Sequence, residues 1–176
     1  MKIFIKRNWW GRYYIYQEDK ADYSFYGTSG YLIWRGDYAK IYNTLKEEVL
    51  YVKQGKIGAI WNLNKITYLL DFIKGKKAIE IKAIDYLNGH WTFDTDGNRY
   101  DFYLHNRYRK SLYKEQNQVA IYAKMNGGTL IVANNDEDAV LLTGLFMAFN
   151  MGDTTPDADI ALNSSKEENP NWKPNI

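Results

Sequence analysis

The sequence predicts a mainly β protein: an antiparallel barrel, closed or nearly so, wrapped around one hydrophobic C-terminal helix. Three observations carry this. Short runs of alternating apolar and polar residues recur about every 8 to 12 residues over the first 134 positions. Turn residues part them. One all-apolar stretch, AVLLTGLFMAF at 139–149, has no counterpart elsewhere in the chain.

In order, the strand runs are MKIFIKR, RYYIYQE, YSFYG, GYLIWRG, YAKIYNTL, EEVLYVKQ, KIGAIWN, KITYLLDF, KAIEIKAIDYL, HWTFD, RYDFYLH, KSLYKE, QVAIYAK and GTLIVAN. Sixteen Tyr, six Trp and seven Phe favour strands. Asp96-Gly97 between HWTF and RYDFYL predicts a two-residue type I′ hairpin, in which both central residues take positive φ. Asn88-Gly89 and Asn126-Gly127-Gly128 read likewise. Proline is absent before Pro156, so no strand loses an N–H donor.

The apolar stretch predicts a helix over 136–151. Asn134, Asn135 and Asp136 offer N-caps, and Asp136, Glu137 and Asp138 suit the positive end of a helix dipole. Gly152 is placed to end it. Such a helix is roughly 24 Å long, too short for a bilayer, which needs about 20 apolar residues. A helix apolar on every side must be buried, and the only material available to bury it is sheet. A sheet curled around the helix does so. Residues 1–152 then form the barrel, and 153–176, which hold all three prolines, form a polar tail.

Many antiparallel strands followed by one hydrophobic C-terminal helix resemble the tubby C-terminal-like superfamily, which includes tubby proteins, phospholipid scramblases and LURP-one-related proteins. AKIYNTLKEEVLYVKQ, RKSLYKEQNQVAIYAK and NNDEDAVLLTGLFMAF look most like the LURP-one-related type. The resemblance covers most of residues 1–151. It implies a twelve-stranded barrel with a central helix, and a binding or scaffold module in place of an enzyme.

Composition bounds the chemistry. The chain has 176 residues, no cysteine and a formal charge of +2. Disulfides, thiolate metal sites and a cysteine nucleophile are excluded, and a cytoplasmic setting is expected. The charge balance does not point to nucleic acid, so any basic site is a local patch. No phosphate-binding Gly-rich loop, nucleophile elbow or zinc-protease motif is present. No cofactor or metal is expected. Asp94, Asp96 and Asn98 mimic the start of a calcium loop, but Arg99 and His105 stand where Gly and Glu belong. The run from Asn134 to Asp138 could hold a cation, although helix capping explains it more simply. An enzyme would need His90 or His105 to meet a carboxylate in a cleft.

Two basic clusters remain: Lys74, Lys76 and Lys77 in one turn, and Arg107, Arg109, Lys110 and Lys114 in another. They are the candidate contacts for an anionic membrane surface or a phosphorylated ligand, since Arg forks onto phosphate oxygens and Lys adds point charge. The alternative is that these are solvated hairpin ends. A lipocalin-like carrier is the rival reading of the barrel. It would use Trp9, Trp10, Trp34, Trp61 and Trp91 to line a cavity, and it needs the helix outside.

Overall fold

A computed structural model describes residues 1–18, 22–32, 36–54, 67–73, 77–85, 88–106, 108–150, 166 and 168–175. Twelve strands follow one another around a closed antiparallel barrel: β1 (Lys2–Arg7), β2 (Tyr13–Gln17), β3 (Phe25–Leu32), β4 (Gly36–Asn43), β5 (Glu48–Gln54), β6 (Thr67–Phe72), β7 (Ile79–Asp85), β8 (His90–Thr95), β9 (Asn98–Asn106), β10 (Arg109–Lys114), β11 (Asn117–Met125) and β12 (Gly128–Ala133). Each strand pairs with its sequence neighbours, and β1 with β12 closes the ring through Lys2↔Val132 to Ile5↔Thr129. Closure removes the edge strands that an open sheet would expose.

The alternation seen in the sequence is the alternation of the wall. In β7, Ile79, Ile81 and Ala83 are buried and point inward, while Glu80, Lys82 and Ile84 face solvent. The described residues hold twelve strands against fourteen expected runs, and two runs account for the difference. YSFYG and GYL are one strand, β3, which passes through Thr28-Ser29-Gly30 without turning. The Tyr38 ring lies over Gly30, where a Cβ would meet it at 2.7 Å, so this glycine seats an aromatic instead of making a turn. The run KIGAIWN, with Trp61, lies outside the described residues, as does Trp34.

The turns follow their expected chemistry at Asp96-Gly97, with φ of 51° and 76°. Glu115-Gln116 also takes positive φ at both residues, 46° and 73°. Neither residue signals such a turn in the sequence.

The helix α1 runs from Ala139 to Ala148, shorter than the expected 136–151. Asp138 is its N-cap, accepting from the Val140 and Leu141 amides at 2.7 and 3.3 Å. Asn134 to Glu137 therefore form the turn that leads in, and the acids precede the first helical turn. Gly152, the expected terminator, lies outside the described residues. The described helix ends at Phe149, where the Asn150 side-chain amide donates to the Phe146 carbonyl at 2.6 Å.

α1 fills the lumen. Its side chains meet the wall all round: Phe146 meets Tyr13 of β2, and Phe149 meets Tyr68 of β6, Trp91 of β8 and Phe102 of β9. The Tyr122 hydroxyl of β11 donates to the Leu142 carbonyl at 3.2 Å. Gly144 passes so close to β5 and β6 that a Cβ there would lie 2.5 Å from Leu50 and 2.9 Å from Leu70. No helix among the described residues is long and apolar enough to cross a membrane.

At the start of β12 one backbone runs close against another. A Cβ on Gly128 would stand 2.2 Å from the Ile5 carbonyl oxygen. Backbone cannot rotate away as a side chain can. Gly128→Ala is expected to destabilise the barrel by about 1–3 kcal/mol or more, read as a lower urea midpoint at unchanged slope.

Candidate functional site

In an up-and-down barrel, successive connections alternate between the two rims. α1 enters at the rim where β12 ends and β1 begins. The β2–β3, β4–β5, β6–β7, β8–β9 and β10–β11 connections share that entry rim. The far rim carries β1–β2, β3–β4, β5–β6, β7–β8, β9–β10 and β11–β12.

This divides the described members of the two sequence-predicted basic clusters between the rims. Lys77, exposed just before β7, stands at the entry rim. Arg109 and Lys110 open β10 at the far rim. Lys74, Lys76 and Arg107 lie outside the described residues. Lys114, at the other end of β10, is at the entry rim, where its amine sits 5.8 Å from the Tyr100 ring centroid. One flat surface cannot meet Lys77 and Arg109 at once.

The barrel instead assembles a larger group at the far rim. Closure of β1 on β12 makes the β9–β10, β11–β12 and β1–β2 hairpins neighbours. Their described residues, 104–106, 108–110, 122–130 and 4–14, contain Lys6, Arg7, Arg12, Arg109, Lys110 and Lys124 and no Asp or Glu. The net charge of +2 hides this sector because Glu18, Asp22, Glu47, Asp96, Glu115 and Asp136 gather toward the entry rim.

The same hairpins expose large apolar side chains. Trp9 is 83% and Trp10 75% exposed, and Tyr108 and Met125 are also exposed. The two indoles occupy the tip of the β1–β2 turn. Asn8 N–H donates to the Arg12 carbonyl at 2.8 Å, and the Asn8 side-chain oxygen accepts from Arg12 N–H at 2.8 Å. Gly11, with φ of 81°, completes the turn. These bonds hold the tip in shape and leave both indoles outside. The two rings touch each other at a tilt of 40°, centroids 3.9 Å apart.

Around them the cations rest on aromatic rings. Arg7 lies 5.4 Å from Tyr13, Arg12 5.5 Å from Tyr26, Lys6 5.6 Å from Tyr16 and Lys124 5.7 Å from Tyr108. Among the described residues none of these four has an ion-pair partner. Ring contacts orient a cation without neutralising it. Arg109 differs: Glu168 of the C-terminal segment holds its guanidinium through two hydrogen bonds, one at 2.9 Å from Nε. That segment lies along the outer wall, where Asn169 N–H donates to Gln118 at 3.2 Å and Asn175 N–H to Asn134 at 3.0 Å.

Lys110 faces inward, because it stands opposite Tyr122, whose hydroxyl reaches α1. Burial and then the charge of Lys124 push its amine down to about 8. The sign of the consequence follows. Between pH 8 and the ordinary lysine value of 10.5, the unfolded chain holds a proton that the folded chain has released. Stability therefore rises with pH in that window. Tyr100, Tyr103, Tyr113 and Tyr122, held protonated chiefly by burial, oppose it above the ordinary tyrosine value of 10.0. Thermal unfolding is expected to shift upward from pH 8 toward 10 and then reverse. Lys110→Met should abolish the rise and keep the reversal.

The remaining candidates are placed as follows. His90 meets a carboxylate, with Nε2 2.9 Å from Asp101 Oδ1, and stacks on Tyr103. It sits on the outer wall, and no hydroxyl nucleophile is bonded to it among the described residues. His105 is 2.6 Å from the Ser111 hydroxyl, but Ser111 is fully buried and cannot reach a substrate. Burial keeps His105 below its ordinary value. Among the described residues no three His, Asp or Glu side chains converge as metal ligands. Glu137, in the acidic lead-in, is held above the ordinary carboxylate value by burial and accepts from the Tyr100 hydroxyl at 3.3 Å. The lumen, where a carrier would hold its ligand, holds α1.

No family model, curated protein or solved structure matches this chain.

Proposed function

We propose that this chain is a non-enzymatic binding module of the tubby-like kind that docks on anionic phospholipid surfaces through its far rim. The observation that supports this best is the pairing, on the neighbouring β1–β2 and β11–β12 hairpins, of two outward-held indoles with Lys6, Arg7, Arg12 and Lys124, cations that lack carboxylate partners among the described residues. Each half of that pairing has a destabilising side. Two exposed indoles forgo burial, and like charges crowd one sector. A surface that is negative and has an apolar layer beneath the charge relieves both. Trp sits at the headgroup level of such a surface, and each basic residue near it contributes about 1 kcal/mol. The cytoplasmic setting expected from composition fits, since cytoplasmic leaflets are the anionic ones.

Of the sequence-predicted contacts among the described residues, Arg109 and Lys110 stand at this rim. Lys77 and Lys114 stand at the opposite one. Co-sedimentation with phosphatidylserine vesicles, compared with phosphatidylcholine vesicles, tests the reading. Equal binding to the two would sink it.

A further inference from the structure

Beside the exposed indoles the wall opens. β3 pairs with β4 along all eight of its residues, but with β2 only through Phe25, Tyr26 and Gly27. Beyond Gly27, β3 runs on past the start of β2. The gap is a cleft of about 350 Å³ lined by Asn8, Trp10, Gly11, Arg12, Tyr14, Thr28 and Ser29. That volume lies at the small end of ligand pockets.

The lining has a definite chemistry. Trp10 presents a flat indole. Arg12 brings a guanidinium with no ion-pair partner among the described residues. Thr28, Ser29 and Tyr14 bring hydroxyls. Asn8 brings an amide whose oxygen is already engaged by Arg12 N–H, so its NH₂ is the group left to donate. No carboxylate lines the cleft. An indole face attracts the C–H edge of a saturated ring through its negative quadrupole. Hydroxyls and a side-chain amide match ring hydroxyls. A guanidinium forks onto a carboxylate, sulfate or phosphate.

We propose that this cleft binds a single polyhydroxylated ring bearing one acidic group: an acidic sugar, free or as the headgroup of a glycolipid. The inference deepens the docking reading, because Trp10 belongs to both, but it requires no membrane.

The test is titration of the isotope-labelled full chain with glucuronate, followed by amide and indole NMR shifts. Saturable shifts at millimolar ligand are expected at Trp10, Arg12, Thr28 and Ser29. Glucose should bind roughly tenfold or more weakly, and Arg12→Gln should weaken glucuronate by a similar factor. Arg12 is a turn residue whose backbone makes the structural bonds, so the variant's unchanged spectrum elsewhere verifies its fold. A second arm uses phosphatidylcholine vesicles carrying a sulfated galactosyl lipid. Binding in that arm with no response to free glucuronate assigns the site to the lipid headgroup; the converse assigns it to the free sugar. No response in either arm, equal response to glucose and glucuronate, or indifference to Arg12→Gln overturns the proposal. Phosphatidylserine vesicles, which carry no sugar, report separately on docking. Their failure beside a successful glucuronate titration would remove the docking reading alone.

Discussion

Phe149→Ala is expected to destabilise the protein by about 3–5 kcal/mol. Phe149 is 4% exposed at the far end of α1. Its ring stacks on Phe102 with centroids 4.3 Å apart and 6° between planes, and meets Trp91 and Tyr68 edge-on at 4.9 and 5.1 Å. Truncation removes the transfer free energy of the ring and leaves a cavity that three other large rings, anchored on three different strands, cannot readily close. The loss is comparable with the whole stability of many domains, about 5–15 kcal/mol. Urea unfolding followed by near-ultraviolet circular dichroism measures it. Phe149→Leu keeps much of the volume and should lose less than half as much. Leu45→Ala, on a side chain 77% exposed at the entry rim, should stay within about 0.5 kcal/mol. If Phe149→Ala proves as mild as Leu45→Ala, α1 is not the plug of the barrel.

That plug was the most legible part of the molecule. A run with Leu141, Leu142, Leu145, Phe146 and Met147 around every side of a helix can only be stable when enclosed, and nothing but strands was available to enclose it. The bounds of the helix were less legible. Asn134, Asn135, Asp136 and Asp138 are all good caps by type, and choosing Asp138 depends on where the chain, coming off β12, can turn into the lumen. Strand count failed at β3 for a similar reason. Thr28-Ser29-Gly30 has turn composition, but the Tyr38 ring on the neighbouring strand supports it in extended form. Such support is a tertiary fact that local pattern does not carry.

The far rim was barely legible. Arg7, Arg12, Arg109 and Lys124 come from three hairpins separated by up to a hundred or more positions, and only the β1–β12 seam brings them together. In the sequence the eye falls on KGKK, whose cations are contiguous. Trp9 and Trp10 were candidates for a cavity wall. A signal was present all the same: an N-W-W-G tip between two strands places two indoles at the central positions of a tight turn, where the barrel has nothing to cover them.

Neutralising Arg7 and Arg12 together to Gln is expected to weaken binding to phosphatidylserine vesicles by about 30-fold. This is about 1 kcal/mol for each basic residue near the surface at 1.4 kcal/mol per tenfold. Trp9→Ala with Trp10→Ala should do more. Sinking about 80 Å² of each indole into the interfacial layer, at about 25 cal/mol per Å², contributes about 2 kcal/mol apiece. The double variant should lose roughly 10²- to 10³-fold. The two losses differ in kind, and salt separates them. The Debye length falls from about 10 Å at 0.1 M to 3 Å at 1 M, so added salt weakens the parent and the tryptophan variant by like factors. The arginine variant, with fewer cations to screen, should show a shallower dependence. Lys77→Glu, on the opposite rim, should leave binding unchanged, which distinguishes a rim-specific contact from a general response to net charge. Binding that survives loss of both indoles, or that falls with Lys77→Glu as steeply as with the Arg7 and Arg12 changes, means that the far rim is not the docking face, because neither outcome is compatible with a surface that meets the indoles first.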